Sequence, residues 1–157
     1  MNKTDNKART FIYRKAGISD IQVVTELLCE LYENHGFEEL FVENKELLED
    51  KSQVFFIAYD DKNPIGICHG AIRHEYVNGK TCDGAVGYLE AVYVRPHFRF
   101  RGVASTLVKN CEQWVGQNNC TEFISDCLLD NLESYKFHNN IGFIETERCI
   151  FFRKTLN

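Results

Sequence analysis

The chain has 157 residues, of which 44% are hydrophobic and 26% charged, and its formal net charge is -5 at pH 7. These values are typical of a globular chain that buries a core, so we expect residues 1–157 to form a single domain. The polar N-terminus differs from a signal peptide, and the sequence lacks a run of about 18 apolar residues, so we expect neither a secretory signal nor a membrane span.

The seven cysteines are scattered along the chain, and none forms a Cys-x-x-Cys pair. This pattern predicts no metal site and no redox pair, and it favours reduced thiols in a cytoplasmic protein. Most of the cysteines lie in apolar stretches, where we expect them to pack as small hydrophobic side chains.

The N-terminal half is expected to contain one strand, two helices and a hairpin: a strand over residues 9–16, a helix from Ser19, a short helix over 44–50, and strands over 52–60 and 65–73. Ser19 is expected to start the first helix in a capping box with Gln22. Apolar residues at helical spacing predict the buried face of that helix.

The C-terminal half is expected to alternate strands and helices over residues 87–96, 102–117, 120–127, 131–140 and 145–156. Gly142 stands where a glycine commonly follows the end of a helix. The order of elements predicts a mixed α/β, or α+β, sheet with helices on its faces.

Charge is distributed unevenly. Residues 26–50 contain nine acids against one base, Lys45, whereas residues 91–111 contain no acid. The second stretch carries four basic residues, Arg95, Arg99, Arg101 and Lys109. The first region is suited to a cation and the second to an anion, although a solvated acidic helix face beside an incidental basic loop is the alternative. Nucleic acid is not expected as a partner, because the basic residues form one short turn rather than a broad face.

The stretch HFRFRGVAS, residues 97–105, joins a predicted strand to a predicted helix. The first turn of a helix leaves backbone N–H groups unpaired, and its dipole adds positive charge there. Gly102 allows a ligand to approach the backbone closely, and Arg99 and Arg101 add charge-assisted contacts. The stretch therefore predicts a phosphate or pyrophosphate site, although it matches neither the dinucleotide fingerprint nor the P-loop.

RFRGVA after the strand LEAVYV, with Asn131 and IGF at 141–143 downstream, resembles the acetyl-CoA-binding core of the GNAT acetyltransferase superfamily. The resemblance implies a mixed, mostly antiparallel sheet with splayed central strands, and acetyl-CoA as co-substrate without a metal. It also implies three groups of cofactor contacts. These are the pyrophosphate loop Phe100, Arg101, Gly102, Val103, Ala104 and Ser105, the pantetheine-binding strand backbone at Val92, Tyr93 and Val94, and Asn131.

Residues 72–79, 88–94, 123–131 and 145–156 resemble the aminoglycoside 6'-N-acetyltransferases of the short, dimeric type. The resemblance implies acetyl transfer to the 6'-amino group of these antibiotics, hence resistance, and a homodimer formed through the C-terminal strands. Aminoglycosides are polycations, so an acidic cleft built partly from residues 26–50 would attract and orient them.

Two acids are the candidate catalytic residues. Glu90 lies within an apolar strand pattern, where a carboxylate needs a partner or a role. The resemblance implies that Glu90 faces the acceptor amine and accepts its proton, directly or through water. The alternative is a pair with an Arg or Lys of a neighbouring strand. Asp126 matches a second acid near the same amine, and its alternative is a cap for the following loop.

The resemblance also implies substrate contacts for Tyr32, His35, Tyr76 and Glu147. The alternatives are an exposed loop histidine for His35, a loop anchor for Tyr76 and an exposed strand residue for Glu147. Where many GNAT enzymes place a tyrosine that protonates the leaving thiolate, this chain has His138, as the aminoglycoside subgroup does, with Tyr135 one turn earlier. The general acid is therefore His138, Tyr135 or neither.

These residues favour direct transfer in a ternary complex, with backbone N–H groups near residues 92–94 stabilising the developing oxyanion. No cysteine lies in a motif that indicates an acyl-enzyme. Three rival functions stay open: transfer to another small amine such as a polyamine or amino sugar, sensing of acetyl-CoA without chemistry, and acetylation of protein lysines or N-termini.

Overall fold

The computed structural model describes residues 10–75 and 77–156. Its strands are β1 (Ile12–Lys15), β2 (Gln53–Asp60), β3 (Asn63–Arg73), β4 (Val86–Val94) and β5 (Phe123–Ile124). Its α-helices are α1 (Ile21–Leu31), α2 (Phe37–Glu49), α3 (Val103–Gln117) and α4 (Leu132–Asn140). Two 3₁₀ turns, Ile18–Asp20 and Pro96–Phe98, precede α1 and follow β4.

The strands form one mixed sheet in the order β1-β2-β3-β4-β5 across the described residues. The first four strands are antiparallel, and β5 runs parallel to β4. The β4–β5 pairing consists of Gly87 with Phe123 and Tyr88 with Ile124, after which β4 continues to Val94. The predicted mixed α/β sheet is thus confirmed, and its two last strands part after a short shared stretch.

A β-bulge interrupts the pairing of β3 and β4. His69 lies opposite Ala91 and Gly70 lies opposite Leu89, so Glu90 has no partner residue across the ladder. An extra residue in one strand bends that strand and changes the direction of its side chains. The bulge therefore sets where the Glu90 carboxylate lies.

Helix α1 covers one face of the sheet. Its residues Leu27 and Leu28 pack with Phe55, Ile57 and Ile67 in one buried cluster. Burying a side chain of this size contributes about 1.5–3 kcal/mol, so this interface is a main source of stability. The helical stripe predicted from the sequence is confirmed here.

Helix α3 covers the opposite face. Leu107 and Cys111 are buried against Cys68 and Leu89. A Cβ at Gly70 would collide with Sγ of Cys111, so this glycine lets the helix lie close to β3. Helices α1 and α3 thus cover opposite faces of the sheet.

The predicted start of α1 is wrong. Ser19 lies inside the 3₁₀ turn and α1 begins at Ile21, with no side-chain cap from Asp20. The carboxylate of Asp20 instead accepts bonds from the backbone of Gly17 (2.9 Å) and from Arg14 (2.7 and 2.8 Å). Gln22 donates to Glu26 rather than closing a capping box. The Asp20 carboxylate is therefore bonded to residues before the helix and does not cap the first turn of α1.

Three further elements differ from prediction, and the first is the strand predicted over residues 120–127, of which only Phe123–Ile124 forms a strand. Helix α2 begins at Phe37 rather than near residue 44. The sequence prediction missed its first turns because the acidic residues obscure the helical spacing of the buried Leu40 and Asn44. The predicted strand over residues 145–156 is wrong for this chain, since that segment has no regular secondary structure and its apolar side chains are exposed. Although its side chains alternate as in a strand, the segment pairs with no strand of the sheet among the described residues.

The seven cysteine thiols are unpaired, and three of them, Cys68, Cys111 and Cys120, are buried. Among the described residues, no helix combines the length and apolar character that a membrane crossing needs. Nor do these residues include three or more histidine, cysteine or acidic side chains grouped to hold a metal ion.

Candidate active site

The loop from β4 to α3 has the geometry of an anion-binding turn. Phe100 and Gly102 have positive φ values of 58° and 78°, and Val103 begins α3 directly afterwards. The left-handed conformation at Gly102 favours glycine. Phe100 is 98% exposed, so its ring is held at the surface by a strained turn.

The first turn of α3 contains the predicted Val103, Ala104 and Ser105. Thr106 is the residue whose N–H begins the helical ladder, bonding to the carbonyl of Gly102 at 3.0 Å. The preceding N–H groups are those that a helix leaves without an intrahelical partner, and they carry the positive end of the dipole. This turn fits a phosphate group approaching from solvent.

The basic residues around the loop have two different tasks. Arg95 bonds Glu30 at 2.7 and 3.0 Å, and Arg99 donates to the carbonyl of Val94 at 2.9 Å. These two arginines therefore fix the loop to the fold. Arg101 is exposed, with its guanidinium 5.8 Å from the ring of Phe98, and lies at the anion-binding turn.

The backbone of Val92, Tyr93 and Val94 is paired with β3 on one side. The β4–β5 ladder ends before this stretch, so its other edge is not covered by β5. Alternate backbone groups of an antiparallel strand face each edge, which leaves donors and acceptors toward this gap. The side chain of Tyr93 points elsewhere, donating to Glu30 at 3.0 Å. The gap and the anion-binding turn together fit a ligand with an extended polar chain and a pyrophosphate.

A cavity of about 220 Å³ opens between α1, α2 and the sheet. It brings together the predicted Tyr32, His35 and Glu90 with six other residues: Leu28, Leu40, Glu43, Asn44, Leu47 and His69. Glu43 belongs to the acidic run, but the sequence alone did not distinguish it from its neighbours. The cavity, called the acceptor pocket below, therefore has an aromatic wall and two carboxylates.

Burial and charge set the protonation of the acceptor pocket. Burial, followed by the nearby carboxylates of Glu90 and Glu43, raises the pKa of Tyr32. Burial and then Arg73 lower the pKa of His69 to about 4. His69 is thus neutral at neutral pH, with Nε2 2.8 Å from Oε1 of Gln53 and its ring stacked on Phe55. Tyr32 keeps its proton as a donor.

Glu90 pairs with Arg73 of β3. Oε1 accepts from Nε at 3.0 Å and from Nη2 at 2.7 Å, and Oε2 accepts from Nη2 at 2.8 Å. Both side chains are partly exposed, at 34% for Arg73 and 24% for Glu90. The sequence left open whether Glu90 pairs with a basic residue of a neighbouring strand, and the structure contains this pair. Glu90 also lines the acceptor pocket.

Asp126 follows β5 and is linked, through Tyr88, to the Arg73 guanidinium that pairs with Glu90. The hydroxyl of Tyr88 donates to Oδ2 of Asp126 at 2.5 Å, and the guanidinium of Arg73 lies 3.6 Å from the centre of the Tyr88 ring. Burial, then the bond to Asp126, raises the pKa of Tyr88. The two predicted catalytic acids are therefore joined through Tyr88 and Arg73, neither of which the sequence singled out.

A second cavity, of about 320 Å³, lies beside α4 and contains both candidate general acids. Nδ1 of His138 is 2.7 Å from the carbonyl of Ser134, so Nδ1 donates, and Nε2 accepts from Oγ of Ser125 at 2.9 Å. Tyr135 instead donates its hydroxyl to Glu145 at 2.9 Å. His138 is thus the one of the two that faces the segment following β5.

The remaining predicted residues lie outside the acceptor pocket. Asn131 caps α4, accepting from the N–H of Ser134 at 3.0 Å. Glu147 accepts from the N–H of Gly79 at 2.6 Å and so anchors the loop between β3 and β4. Tyr76, predicted to line the substrate, lies outside the described residues.

Residues 21–143 match the family model of the acetyltransferase (GNAT) family. An aminoglycoside N(6')-acetyltransferase type 1 of Acinetobacter haemolyticus is 43% identical over 115 residues, which cover 73% of this chain and 79% of the relative. The enzyme of the same description from Acinetobacter baumannii is 39% identical over 131 residues, 83% of this chain and 88% of the relative.

Among solved structures, AAC(6')-Iy in complex with the bisubstrate analogue CoA-S-monomethyl-acetylneamine matches with a TM-score of 0.88. The match has 34% sequence identity and covers 94% of this chain and 99% of that chain. The family model spans more than half of the sequence, and the relatives are aligned over most of their length. The chain therefore belongs to the GNAT family of acetyltransferases.

Proposed function

We propose that this chain transfers the acetyl group of acetyl-CoA to the 6'-amino group of aminoglycosides and so confers resistance to them. The observation that carries the proposal is the position of Glu90, which the β4 bulge places on an acidic pocket beside the open edge of β4. A polycationic amine and an acyl donor could meet there without a covalent enzyme intermediate. The relatives named above, described as aminoglycoside N(6')-acetyltransferases, support the same substrate class.

Acetyl-CoA supplies the activated acetyl thioester. We assign its pyrophosphate to the loop residues Phe100, Arg101, Gly102, Val103, Ala104 and Ser105. The backbone of Val92, Tyr93 and Val94 would hold the pantetheine arm and direct an N–H at the developing oxyanion. Asn131 has its amide oxygen committed to the α4 cap, so its amide nitrogen is the group for a cofactor contact.

On the acceptor side, Glu90 binds the ammonium and accepts its proton, directly or through water. Asp126 shares in binding the amino groups of the substrate. Tyr32 packs against a sugar ring, and His35 and Glu43 contact polar groups at the pocket rim. Tyr76 stays a proposed substrate contact, and Glu147 supports the site through its bond to the N–H of Gly79.

For the leaving thiolate, His138 is the proposed proton source. Its Nε2 is 2.9 Å from Ser125 Oγ, and the same Oγ is 3.4 Å from the carbonyl oxygen of Leu89 in β4. Tyr135 is directed at Glu145 on the outer side of α4. When His138 is protonated, its Nε2–H can donate to Ser125 Oγ, and the Ser125 hydroxyl can then give its proton to the thiolate in the gap between β4 and β5, whereas the Tyr135 hydroxyl is bonded to Glu145.

The test is steady-state thiol release from acetyl-CoA with kanamycin, tobramycin, spermine and a lysine peptide as acceptors. Wild type is expected to turn over the aminoglycosides alone, and Glu90→Gln is expected to lose most of its kcat. Glu26→Gln is the matched control, because it removes one charge from the same acidic run outside the acceptor pocket. Transfer to spermine or peptide with equal efficiency would contradict the substrate class. Tight acetyl-CoA binding with no turnover on any amine would favour a sensor.

We further propose a cytoplasmic, single-domain protein that works as a homodimer. The free thiols are consistent with a reducing compartment. Apolar side chains of the C-terminal segment are 80–92% exposed: Ile150, Phe151, Phe152 and Leu156. Several large apolar side chains exposed in one short segment are typical of a protein–protein interface, and a second copy would cover them.

A further inference from the structure

The guanidinium of Arg73 lies between the two acids of the acceptor side. It bonds both oxygens of Glu90 and packs on the ring of Tyr88, whose hydroxyl holds Asp126. A fork of this kind fixes a carboxylate in one orientation, and stacking on an aromatic ring restricts the arginine in turn. Arg73 is therefore a fixed positive charge within a site that is otherwise acidic.

The free position on Glu90 follows from the three bonds. Oε1 accepts two N–H groups and Oε2 accepts one, so a lone pair of Oε2 remains for a further donor. An ammonium bound there at hydrogen-bond length would lie about 5 Å from the guanidinium. The charge of Arg73 thus acts on any amine that Glu90 binds.

We propose that Arg73 is a positioning residue of the acceptor site, which orients the Glu90 carboxylate and favours the neutral, nucleophilic form of the bound amine. The inference rests on the proposed function, because it takes Glu90 as the residue that receives the amine. A cation close to a second cation destabilises the charged form of that second group, so the amine releases its proton more readily. Acetyl transfer needs this neutral form.

The other charged and titratable groups around the amine come from every neighbouring element: Tyr32 and His35 after α1, Glu43 from α2, His69 from β3, Tyr88 from β4, and Asp126 after β5. Burial keeps His69 neutral above about pH 4. Because Arg73 also helps to lower the pKa of His69, the neutral Arg73 variants change that group as well, and Arg73→Lys, which keeps the charge, is the variant that separates the effect of charge from that of shape.

The experiment compares wild type, Arg73→Gln and Arg73→Lys. Enzyme loaded with acetyl-CoA is mixed with saturating kanamycin, and the single-turnover rate of acetyl transfer is followed from about pH 6 to about pH 9.5. In Arg73→Gln the rising part of the plot of rate against pH is expected to move to higher pH by about one unit. The rate near neutrality then falls about tenfold and recovers at alkaline pH, while KM for kanamycin does not rise. Arg73→Lys keeps the charge and should retain the wild-type pH profile.

Two controls separate this role from simple support of the fold. Lys62→Gln removes a positive charge from the turn at the opposite end of β3 and should leave the profile unchanged. Arg73→Met keeps an apolar stem against Tyr88 and serves as a second neutral variant where Arg73→Gln is unstable. A rate loss in both neutral variants that is equal at every pH would overturn the proposal.

The proposal would also be overturned if the neutral variants had a lower KM for kanamycin and an unchanged plot of rate against pH. Arg73 would then only compete with the substrate for Glu90. These outcomes differ from failure of the proposed function. If wild type itself does not acetylate kanamycin, the acceptor assignment fails before any variant is measured.

Discussion

Tyr88 and Asp126 are joined by a 2.5 Å hydrogen bond that ties β4 to the segment following β5. The bond lies just beyond the two residue pairs that hold these strands together. It therefore fixes Asp126 at the point where the strands part, on the side of β4 that carries Glu90. Because its pKa is raised, Tyr88 remains a donor throughout the working pH range.

Tyr88→Phe keeps the ring under Arg73 and removes only this donor. We expect kcat/KM for an aminoglycoside to fall about tenfold and the free energy of unfolding to fall by about 1 kcal/mol. The dissociation constant for acetyl-CoA, measured by calorimetry, should not change. Tyr59→Phe is the matched control, since the Tyr59 hydroxyl accepts from Arg14 far from the acceptor pocket. Unchanged kinetics in Tyr88→Phe would show that Asp126 needs no such support.

Gly102→Ala tests the anion-binding turn. Gly102 has a φ of 78° and a Cβ there would meet no atom within 4 Å, so the substitution strains the backbone without a clash. The strain costs about 1 kcal/mol, and a new methyl group also stands where a phosphate would approach. We expect acetyl-CoA affinity to weaken at least about tenfold with little change in KM for the amine.

Gly116→Ala, within α3, is the control for that substitution. A Cβ at Gly116 also meets no atom within 4 Å, and its backbone is helical, so alanine there should leave acetyl-CoA affinity intact. If both alanine variants bind acetyl-CoA like wild type, the pyrophosphate does not bind at this turn.

The sequence predicted those features that depend on local periodicity. The stripe of α1 and the β2–β3 hairpin are examples, because each is specified by residues a few positions apart. The Gly102 turn was also predictable, since glycine before a helix after an apolar strand has few structural meanings. Helix α2 was only half recognised because its glutamates dilute the apolar pattern.

The contacts of Glu90 could not be derived from the sequence in the same way. Arg73 lies 17 residues before Glu90, and a one-residue bulge decides which side chains of β3 and β4 share a face. A register shift of one residue reverses the faces, and no local signal marks this bulge. The acid was recognisable, whereas its positively charged partner and the Tyr88 link required the tertiary structure.

His69 makes stability depend on pH. Burial lowers its pKa from 6.5 to about 4. Between these values the unfolded chain binds a proton that the folded chain does not, so stability falls as the pH drops through this window. The loss reaches about 3 kcal/mol at the acid end.

His69→Gln should therefore flatten the dependence of the unfolding free energy on pH between about 6.5 and about 4, whatever its effect on stability at neutral pH. Urea unfolding at a series of pH values measures this slope. His97→Gln changes an exposed histidine and should leave the slope as in wild type. An equal slope for His69→Gln and wild type would mean that His69 binds its proton over the same pH range in the folded and the unfolded chain.

Phe152→Asp tests the proposed homodimer. Phe152 is 92% exposed and Phe151 is 88% exposed, in a segment whose apolar alternation suits a strand but which forms none within the chain. Pairing with a second copy would bury these rings and satisfy the backbone of the segment, so a carboxylate at residue 152 should separate the copies. Sedimentation velocity is expected to give a dimer for wild type and a monomer for the variant. Val42→Asp alters another exposed apolar residue, 63% exposed on α2, and should remain dimeric. A monomeric wild type would contradict the proposed homodimer.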